Sequence, residues 1–171
     1  MTVWQGRLAG VELPPLVGEG KAGGRESSPG GCGAALGSGD AGARRDRGLV
    51  ERWVGELESY FRGERLSWTM DEVGLEGPTM SAFTRAVYET LLTVPAGVTV
   101  SYGTLAEMAG FPRASRAVGT AMATNPIPIV VPCHRVIRSD GSLGKYGSDP
   151  AWKERLLAHE RRHAGGEGGE R

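Results

Sequence analysis

The 171-residue sequence has only two cysteines and three histidines, and it lacks any long apolar run. Two cysteines in unlike contexts do not imply a disulfide framework, which fits a reducing compartment. A membrane-spanning helix needs about 20 consecutive apolar residues, so the sequence predicts no such helix. The first residues show neither the basic cluster nor the apolar stretch of a signal peptide. The sequence therefore predicts a cytoplasmic protein.

The sequence also lacks net charge and is poor in aromatic residues, which make up 6% of it. A zero net charge excludes a polycation that binds nucleic acid through bulk electrostatics alone. The charge is unevenly spread, with a net of −3 over residues 1–78 and +3 over residues 79–171. This basic bias is compatible with phosphate binding but does not by itself indicate it.

Glycine is abundant in one segment, residues 17–48, where 11 of 32 positions are glycine. Such a composition buries too little apolar surface to offset the entropy of ordering, so we predict a flexible segment. Cys32 lies inside it and is predicted to be an incidental exposed thiol. Residues 3–16 have room for one or two short strands, ended by Pro14 and Pro15.

Apolar residues at helical spacing predict most of the remaining structure. Helices are expected over residues 49–62, 81–93 (capped by Thr79 or Ser81), 101–110, from after Arg113 to Asn125, and 150–163. Prolines and β-branched residues predict a buried extended segment over residues 126–137, followed by a turn over 139–144. We predict three regions: an N-terminal region of residues 1–78, a main domain of residues 79–163 and a disordered tail of residues 164–171.

The two helices on either side of residues 111–113 have the spacing of a helix-turn-helix. Many such helical pairs bind nothing, so this pattern alone does not indicate nucleic acid. The second helix is rich in alanine and glycine and carries one long cation, Arg116, near its start. Small side chains allow a close approach either to a neighbouring helix or to a nucleic-acid groove, and the sequence leaves both options open.

Cys133 is followed by His134 after a short apolar stretch, which indicates a candidate nucleophile and base. A thiol reacts as its thiolate, and a nearby imidazole favours that form. Adjacent side chains in an extended segment point in opposite directions, so a water relay or a local bend is needed to couple the two. A cysteine–histidine pair alone is more often structural than catalytic.

The run from Asn125 to Val136 resembles the active-site motif of the O6-alkylguanine-DNA alkyltransferases, also called methylated-DNA–protein-cysteine methyltransferases. The resemblance covers roughly residues 49–163 and includes Tyr60-Phe61 and residues 83–88, 97–102, 105–106, 116–119 and 153–160. It implies an α+β fold. A mainly helical C-terminal domain with a helix-turn-helix would follow a ribonuclease-H-like α/β region, which is reduced in this sequence.

The resemblance implies a single-use repair reaction on double-stranded DNA that contains O6-alkylguanine. Cys133 would take the alkyl group, chiefly methyl, from the flipped base, irreversibly and in one turnover; O4-alkylthymine is a further candidate substrate. His134, held by Glu160, would deprotonate the thiol through a water. Tyr102 would donate to the guanine ring and contact the phosphate 3′ of the lesion. Asn125 would tie the turn between the recognition helix and the active-site segment.

Further positions of the family carry over to DNA contacts and to the base pocket. Arg116 matches the arginine that fills the stack vacated by the flipped base. Other matching positions are Thr84, Gly103, Phe111 and Ser139 for DNA contacts, and Met122, Val136, Tyr146 and Gly147 for the substrate pocket. The resemblance implies no cofactor and a monomer.

The sequence departs from the family in two places. Only short strands precede the Gly-rich segment, and Cys32 has no histidine near it, so we predict no zinc site. His159 and His163 have helical ligand spacing but lack a third ligand in the sequence nearby. Residues 147–150 are less glycine-rich than is usual in the family, so tolerance of bulky alkyl groups does not carry over from the resemblance.

Three other functions compete with this hypothesis. A silent binder of alkylated DNA would replace the cysteine, but Cys133 is present. A cysteine–histidine hydrolase would need an oxyanion hole, and no glycine-rich element stands beside Cys133. A helix-turn-helix regulator would need long polar side chains for base reading, and the helix of Arg116 has few.

Overall fold

The computed structural model describes residues 2–4, 7–10, 47–73, 80–144, 146–147, 149 and 151–164. The described part is mainly helical with two small sheets. The helices are α1 (Arg47–Phe61), α2 (Met70–Val73), α3 (Ala82–Leu92), α4 (Tyr102–Met108), α5 (Ser115–Ala123) and α6 (Ala151–Ala164), and the strands are β1 (Thr2–Trp4), β2 (Arg7–Gly10), β3 (Val100–Ser101) and β4 (Val136–Ile137).

The two sheets join distant parts of the described chain. Strands β1 and β2 form an antiparallel hairpin with an irregular register between Thr2 and Val3, and the hairpin contacts α1. Strands β3 and β4 pair in parallel, with Val100 opposite Val136 and Ser101 opposite Ile137. This second pairing brings the start of α4 beside the segment that follows Cys133.

The predicted helices are present, with ends shifted by one or two residues. Ser81 and Ser101 cap α3 and α4, and their hydroxyls accept from the Thr84 and Thr104 amides at 3.1 and 3.0 Å. Helix α1 begins at Arg47 rather than residue 49, and α5 ends at Ala123, two residues before Asn125. The hydroxyls of Ser81 and Ser101 satisfy amide donors that the first turn of each helix leaves unpaired.

The N-terminal predictions are only partly covered by the described residues. The hairpin confirms the expectation of short strands, whereas Pro14-Pro15, Cys32 and nearly all of the Gly-rich segment lie outside the described residues. Ala164, predicted as the start of a disordered tail, is instead the last residue of α6, and residues 165–171 lie outside the described part. A ribonuclease-H-like region stays a prediction.

Residues ahead of the main predicted domain pack into the same core as that domain. Trp53, Tyr60 and Trp68 are buried with side chains of α3 to α6 in one apolar cluster. Burying each large apolar side chain stabilises the fold by about 1.5–3 kcal/mol. Gly63 follows α1 with a positive φ of 77°, and a Cβ there would collide with the His163 ring. The close approach of α1 to α6 therefore requires glycine.

The prediction of a buried extended segment over residues 126–137 is confirmed for its burial, but the extended conformation is limited to Val136–Ile137. The chain reverses earlier in the segment, with the Val131 amide donating to the Ile127 carbonyl at 3.0 Å and Ile129 held at a φ of 76°. Residues Cys133–Arg135 then form a 3-10 turn. A β-branched residue at positive φ is sterically strained, so the surrounding core must impose this conformation. The strand propensity of these residues favoured an extended segment and could not predict the chain reversal.

The described helices include none that is both long and apolar enough to cross a lipid bilayer.

Candidate active site

Cys133 lies in the wall of an open cavity of about 740 Å³ between α4, α5 and the segment after β4. Its side chain is only 3% exposed. Asn125 Nδ2 donates to Cys133 Sγ at 3.1 Å and to the Val131 carbonyl at 2.9 Å, while its Oδ1 accepts from the Ile127 amide at 3.1 Å. A hydrogen bond donated to sulfur favours negative charge on it. Asn125 thus ties the turn, as expected, and also contacts the thiol.

His134 and Glu160 form the buried pair that the resemblance implied. The distance between His134 Nε2 and Glu160 Oε1 is 2.7 Å, and both side chains are completely buried. An ionised carboxylate can only accept, so Nε2 carries the proton and Nδ1 is left as the acceptor. Within the described part of the chain, Nδ1 has no hydrogen-bond partner. His134 is therefore arranged to accept a proton at Nδ1.

Electrostatics keeps this imidazole neutral. Burial lowers the pKa of His134; the hydrogen bond and charge of Glu160 act in the opposite direction, and the positive charges of Arg135 and Lys153 lower it further. Because the lowering prevails, the neutral imidazole dominates near pH 7 and can act as a base.

Glu160 is ionised because several donors surround it. Its oxygens accept from Tyr60 Oη at 3.0 Å, the Gly97 amide at 3.1 Å and Arg135 Nη2 at 2.8 Å, besides His134. Burial alone would raise the pKa of Glu160, but the hydrogen bonds from His134 and Arg135 outweigh it and lower the pKa to about 2. The carboxylate therefore remains charged at every pH at which the protein functions.

Arg135 is a buried cation that fixes the turn of Cys133. It is 1% exposed and, besides Glu160, donates to the carbonyls of Val94 and Leu66, each at 2.6 Å. These bonds join the 3-10 turn to the loop after α3, to the segment before α2 and to α6. A buried charge is tolerated only when it is paired and hydrogen-bonded in this way.

Lys153 is a second buried cation, and no role for it was predicted from the sequence. Its Nζ donates to the carbonyls of Val136 at 2.6 Å and Leu143 at 2.5 Å, and its side chain is 1% exposed. Nζ also lies 5.9 and 6.0 Å from the ring centres of Tyr102 and Tyr146. Lys153 therefore holds β4, the following loop and two cavity tyrosines together.

The cavity brings together many of the predicted positions. Its described lining includes the predicted residues Tyr102, Gly103, Arg116, Met122, Cys133, Ser139, Tyr146 and Gly147. Val136 is fully buried behind the lining. Thr84 lies on the first turn of α3 and Phe111 packs edge-on against Phe83 at 4.9 Å, and neither lines the cavity.

Some lining residues and supporting residues were not singled out from the sequence. Arg138, Asp140 and Lys153 line the cavity, whereas Tyr60 and Arg135 donate hydrogen bonds to Glu160. One signal was present: Lys153 and Glu160 share the helical face of Leu156 and Leu157, which is buried. Charged residues on an apolar helical stripe indicate a buried ion pair or hydrogen-bonded site.

His159 and His163 make structural contacts on α6. His159 Nε2 donates to the Tyr60 carbonyl at 2.7 Å, and His163 Nδ1 donates to the His159 carbonyl at 2.9 Å. Among the residues that the structure describes, no three His, Cys, Asp or Glu side chains form a group that could hold a metal ion.

The chain is similar to proteins of known name. Residues 82–162 match the family model described as the DNA-binding domain of 6-O-methylguanine DNA methyltransferase. A methylated-DNA–protein-cysteine methyltransferase of Mycobacterium bovis is 43% identical over 119 residues, which cover 70% of this chain and 70% of that protein. The chain belongs to the methylated-DNA–protein-cysteine methyltransferase family.

Other members of the family differ in length from this chain. The mouse methyltransferase is 50% identical over 108 residues, which are 61% of this chain and 51% of the mouse protein. The chain thus spans about half the length of that relative. The crystal structure of Mycobacterium tuberculosis OGT in complex with DNA has a TM-score of 0.60 at 42% identity, covering 66% of this chain and 68% of that one. The mainly helical architecture with small sheets agrees with that structure.

Proposed function

We propose that this protein repairs double-stranded DNA by transferring the alkyl group of O6-alkylguanine, chiefly methyl, to Cys133 in a single, irreversible turnover. The observation that carries the proposal is the buried set Asn125, Cys133, His134 and Glu160 beside an open cavity. Membership of the methyltransferase family supports the same chemistry. A monomer, a cytoplasmic location and activity on O4-alkylthymine stay predictions from the sequence.

The chemistry follows from the proton and charge arrangement of the site. The thiol proton moves to Nδ1 of neutral His134 through a water, and Glu160 stabilises the resulting imidazolium. The sulfur attacks the alkyl carbon, the carbon–O6 bond breaks, and its electron pair stays on guanine, which takes up a proton. A stable thioether remains on Cys133, so the protein cannot be regenerated by the same reaction.

The cavity has the character needed for a flipped nucleotide. Of its described lining residues, Arg116, Arg138 and Lys153 are cationic and Asp140 is acidic, which suits a phosphate-bearing ligand. We assign Tyr102, which begins α4 and lines the cavity, to donation to the guanine ring and contact with the adjacent phosphate. Gly119 and Ala123 line the same wall and leave the face of α5 open to a close approach. We assign Ser139 and Gly103 to backbone contacts, and Thr84 and Phe111 to the outer DNA surface.

The deciding experiment is an intact-mass measurement after incubation with a duplex that contains one O6-methylguanine. We expect the mass of the protein to rise by one methylene group, once per molecule, and the peptide that contains Cys133 to carry it. A matched duplex with unmodified guanine serves as the control. Continued turnover, or repaired DNA with unmodified protein, would contradict the proposal.

Arg116 is exposed at the cavity rim, where an arginine can enter the base stack in place of a flipped nucleotide. We expect Arg116→Ala to slow methyl transfer in duplex DNA by about 10²-fold, because base flipping loses its replacement contact. Transfer from the free O6-methylguanine base should change little, since no flipping is needed there. Rates on both substrates, with Arg155→Ala on the exposed part of α6 as control, check this. An equal loss on both substrates would argue for damage to the pocket instead.

A further inference from the structure

One hydrogen bond to the buried carboxylate comes from outside the matched domain. The family model covers residues 82–162, whereas Tyr60 lies near the end of α1. Tyr60 Oη donates to Glu160 Oε1 at 3.0 Å, and both residues are 0% exposed. The same oxygen accepts from His134 Nε2 at 2.7 Å. The phenol and the imidazole therefore share one acceptor atom.

The position of the Tyr60 ring is fixed by its neighbours. The ring stacks on Trp68 with 6.0 Å between the ring centres, and the carbonyl of Tyr60 accepts from His159 Nε2 at 2.7 Å. Burial, reinforced by the charge of Glu160, raises the pKa of Tyr60 far above its usual value. The phenol therefore stays protonated and remains a hydrogen-bond donor to Glu160 throughout the working pH range.

We propose that Tyr60 is a positioning residue that sets the base strength of His134 through Glu160. The proposal rests on the proposed function of Cys133 and His134. A donor on Oε1 draws negative charge away from the Nε2–H bond, so the carboxylate stabilises the imidazolium less strongly. Helix α1, which precedes the matched domain, then belongs to the active site as well as to the core.

The charges that face His134 give the direction of the effect. Glu160 favours the protonated ring, whereas burial and the charges of Arg135 and Lys153 oppose it. Tyr60 adds no charge, because burial keeps its phenol protonated. Removing the phenol hydroxyl leaves more charge on Glu160 for His134, so the ring should protonate at a higher pH. Methyl transfer needs the neutral ring and should then fall off at a higher pH.

The test compares Tyr60→Phe with the wild-type full chain in single-turnover methyl transfer from an O6-methylguanine duplex between pH 4.5 and 8.5. We expect the midpoint of the acid limb to move upward by about 0.5–1 pH unit, the effect of one weakened hydrogen bond on a buried pair. Tyr88→Phe is the matched control, because the Tyr88 hydroxyl is also buried but donates to the Ala121 carbonyl at 2.8 Å. Its midpoint should equal that of the wild type.

A purely structural role for Tyr60 predicts a different result. Each variant would then lose rate by the same factor at every pH, and its midpoint would be unchanged. That result would overturn the proposal. A second variant carries 3-fluorotyrosine at position 60, which keeps the ring size and is a stronger donor. It should move the midpoint downward, and an unchanged or raised midpoint would count against the proposal.

A measurement made without substrate distinguishes a failure of this proposal from a failure of the proposed function. An NMR titration that follows the His134 ring resonances should give a midpoint at higher pH in Tyr60→Phe than in Tyr88→Phe. A wild-type protein that never methylates Cys133 would defeat the proposed function, while this shift would still support the coupling. Normal methylation with identical His134 titrations in both variants would defeat the coupling alone.

Discussion

Replacing Cys133 with alanine is expected to abolish methyl transfer, with a loss of at least about 10³-fold in rate, because Cys133 supplies the only thiol among the described residues that line the cavity. Affinity for duplex DNA should stay within about two-fold of the wild type, since the cavity rim and α5 are unchanged. Mass spectrometry of the intact protein measures the first effect, and fluorescence anisotropy with a labelled duplex measures the second.

Cys32→Ala provides the matched control for this variant, since Cys32 is the only other cysteine in the sequence. It should take up one methyl group at the wild-type rate. Methylation of Cys32 in the Cys133→Ala protein would show that the wrong thiol has been assigned. Loss of DNA affinity in Cys133→Ala would instead show that the buried thiol supports the shape of the binding surface.

Replacing Glu160 with glutamine is expected to slow methyl transfer by about 10²–10⁴-fold, the range found when an oriented base loses its carboxylate. Glutamine keeps the size of the side chain but removes the charge that stabilises the imidazolium. It also leaves Arg135 buried without a counter-charge, which should lower the free energy of unfolding by about 3–5 kcal/mol. Single-turnover rates and urea unfolding measure the two effects separately.

Glu154→Gln is the control for this substitution, because Glu154 is exposed on the same helix. It should change the free energy of unfolding by less than about 0.5 kcal/mol and leave the rate unchanged. If the Glu160 variant were as active and as stable as this control, Glu160 would be neither the orienting group of His134 nor the counter-ion of Arg135.

Glu160 and His134 together determine how the stability of the protein depends on pH. The folded pKa of Glu160 is about 2, below its ordinary value of 4.5, so its contribution is complete above pH 4.5 and is lost as the pH falls towards 2. The pKa of His134 is also lowered on folding, so stability begins to fall as the pH drops below the ordinary value of 6.5. Both groups therefore make the protein sensitive to acid. Urea unfolding should show a steeper decline below pH 4.5 for the wild type than for Glu160→Gln, because the variant lacks the carboxylate that titrates there.

The sequence by itself determined most of the helices, and its resemblance to a family proposed the reacting residues. Helices α3 and α4 follow from local chemistry, because a serine hydroxyl caps each one and apolar residues recur along one face. Cys133, His134 and Glu160 were assigned through a family resemblance, which the match over residues 82–162 supports. These features depend on residues close in sequence or on a motif read as a unit.

Only the tertiary structure decided how distant residues meet. The reversal at Ile129 contradicts local propensity, and its strain is accepted because Asn125 and the surrounding core hold the turn. Tyr60 and Glu160 are 100 residues apart in the chain, and nothing in the spacing of either predicts their hydrogen bond. Buried charges must find partners wherever the packing places them. The family resemblance of the sequence therefore proposed the nucleophile and its base, while long-range packing decided which groups orient that base and keep it neutral.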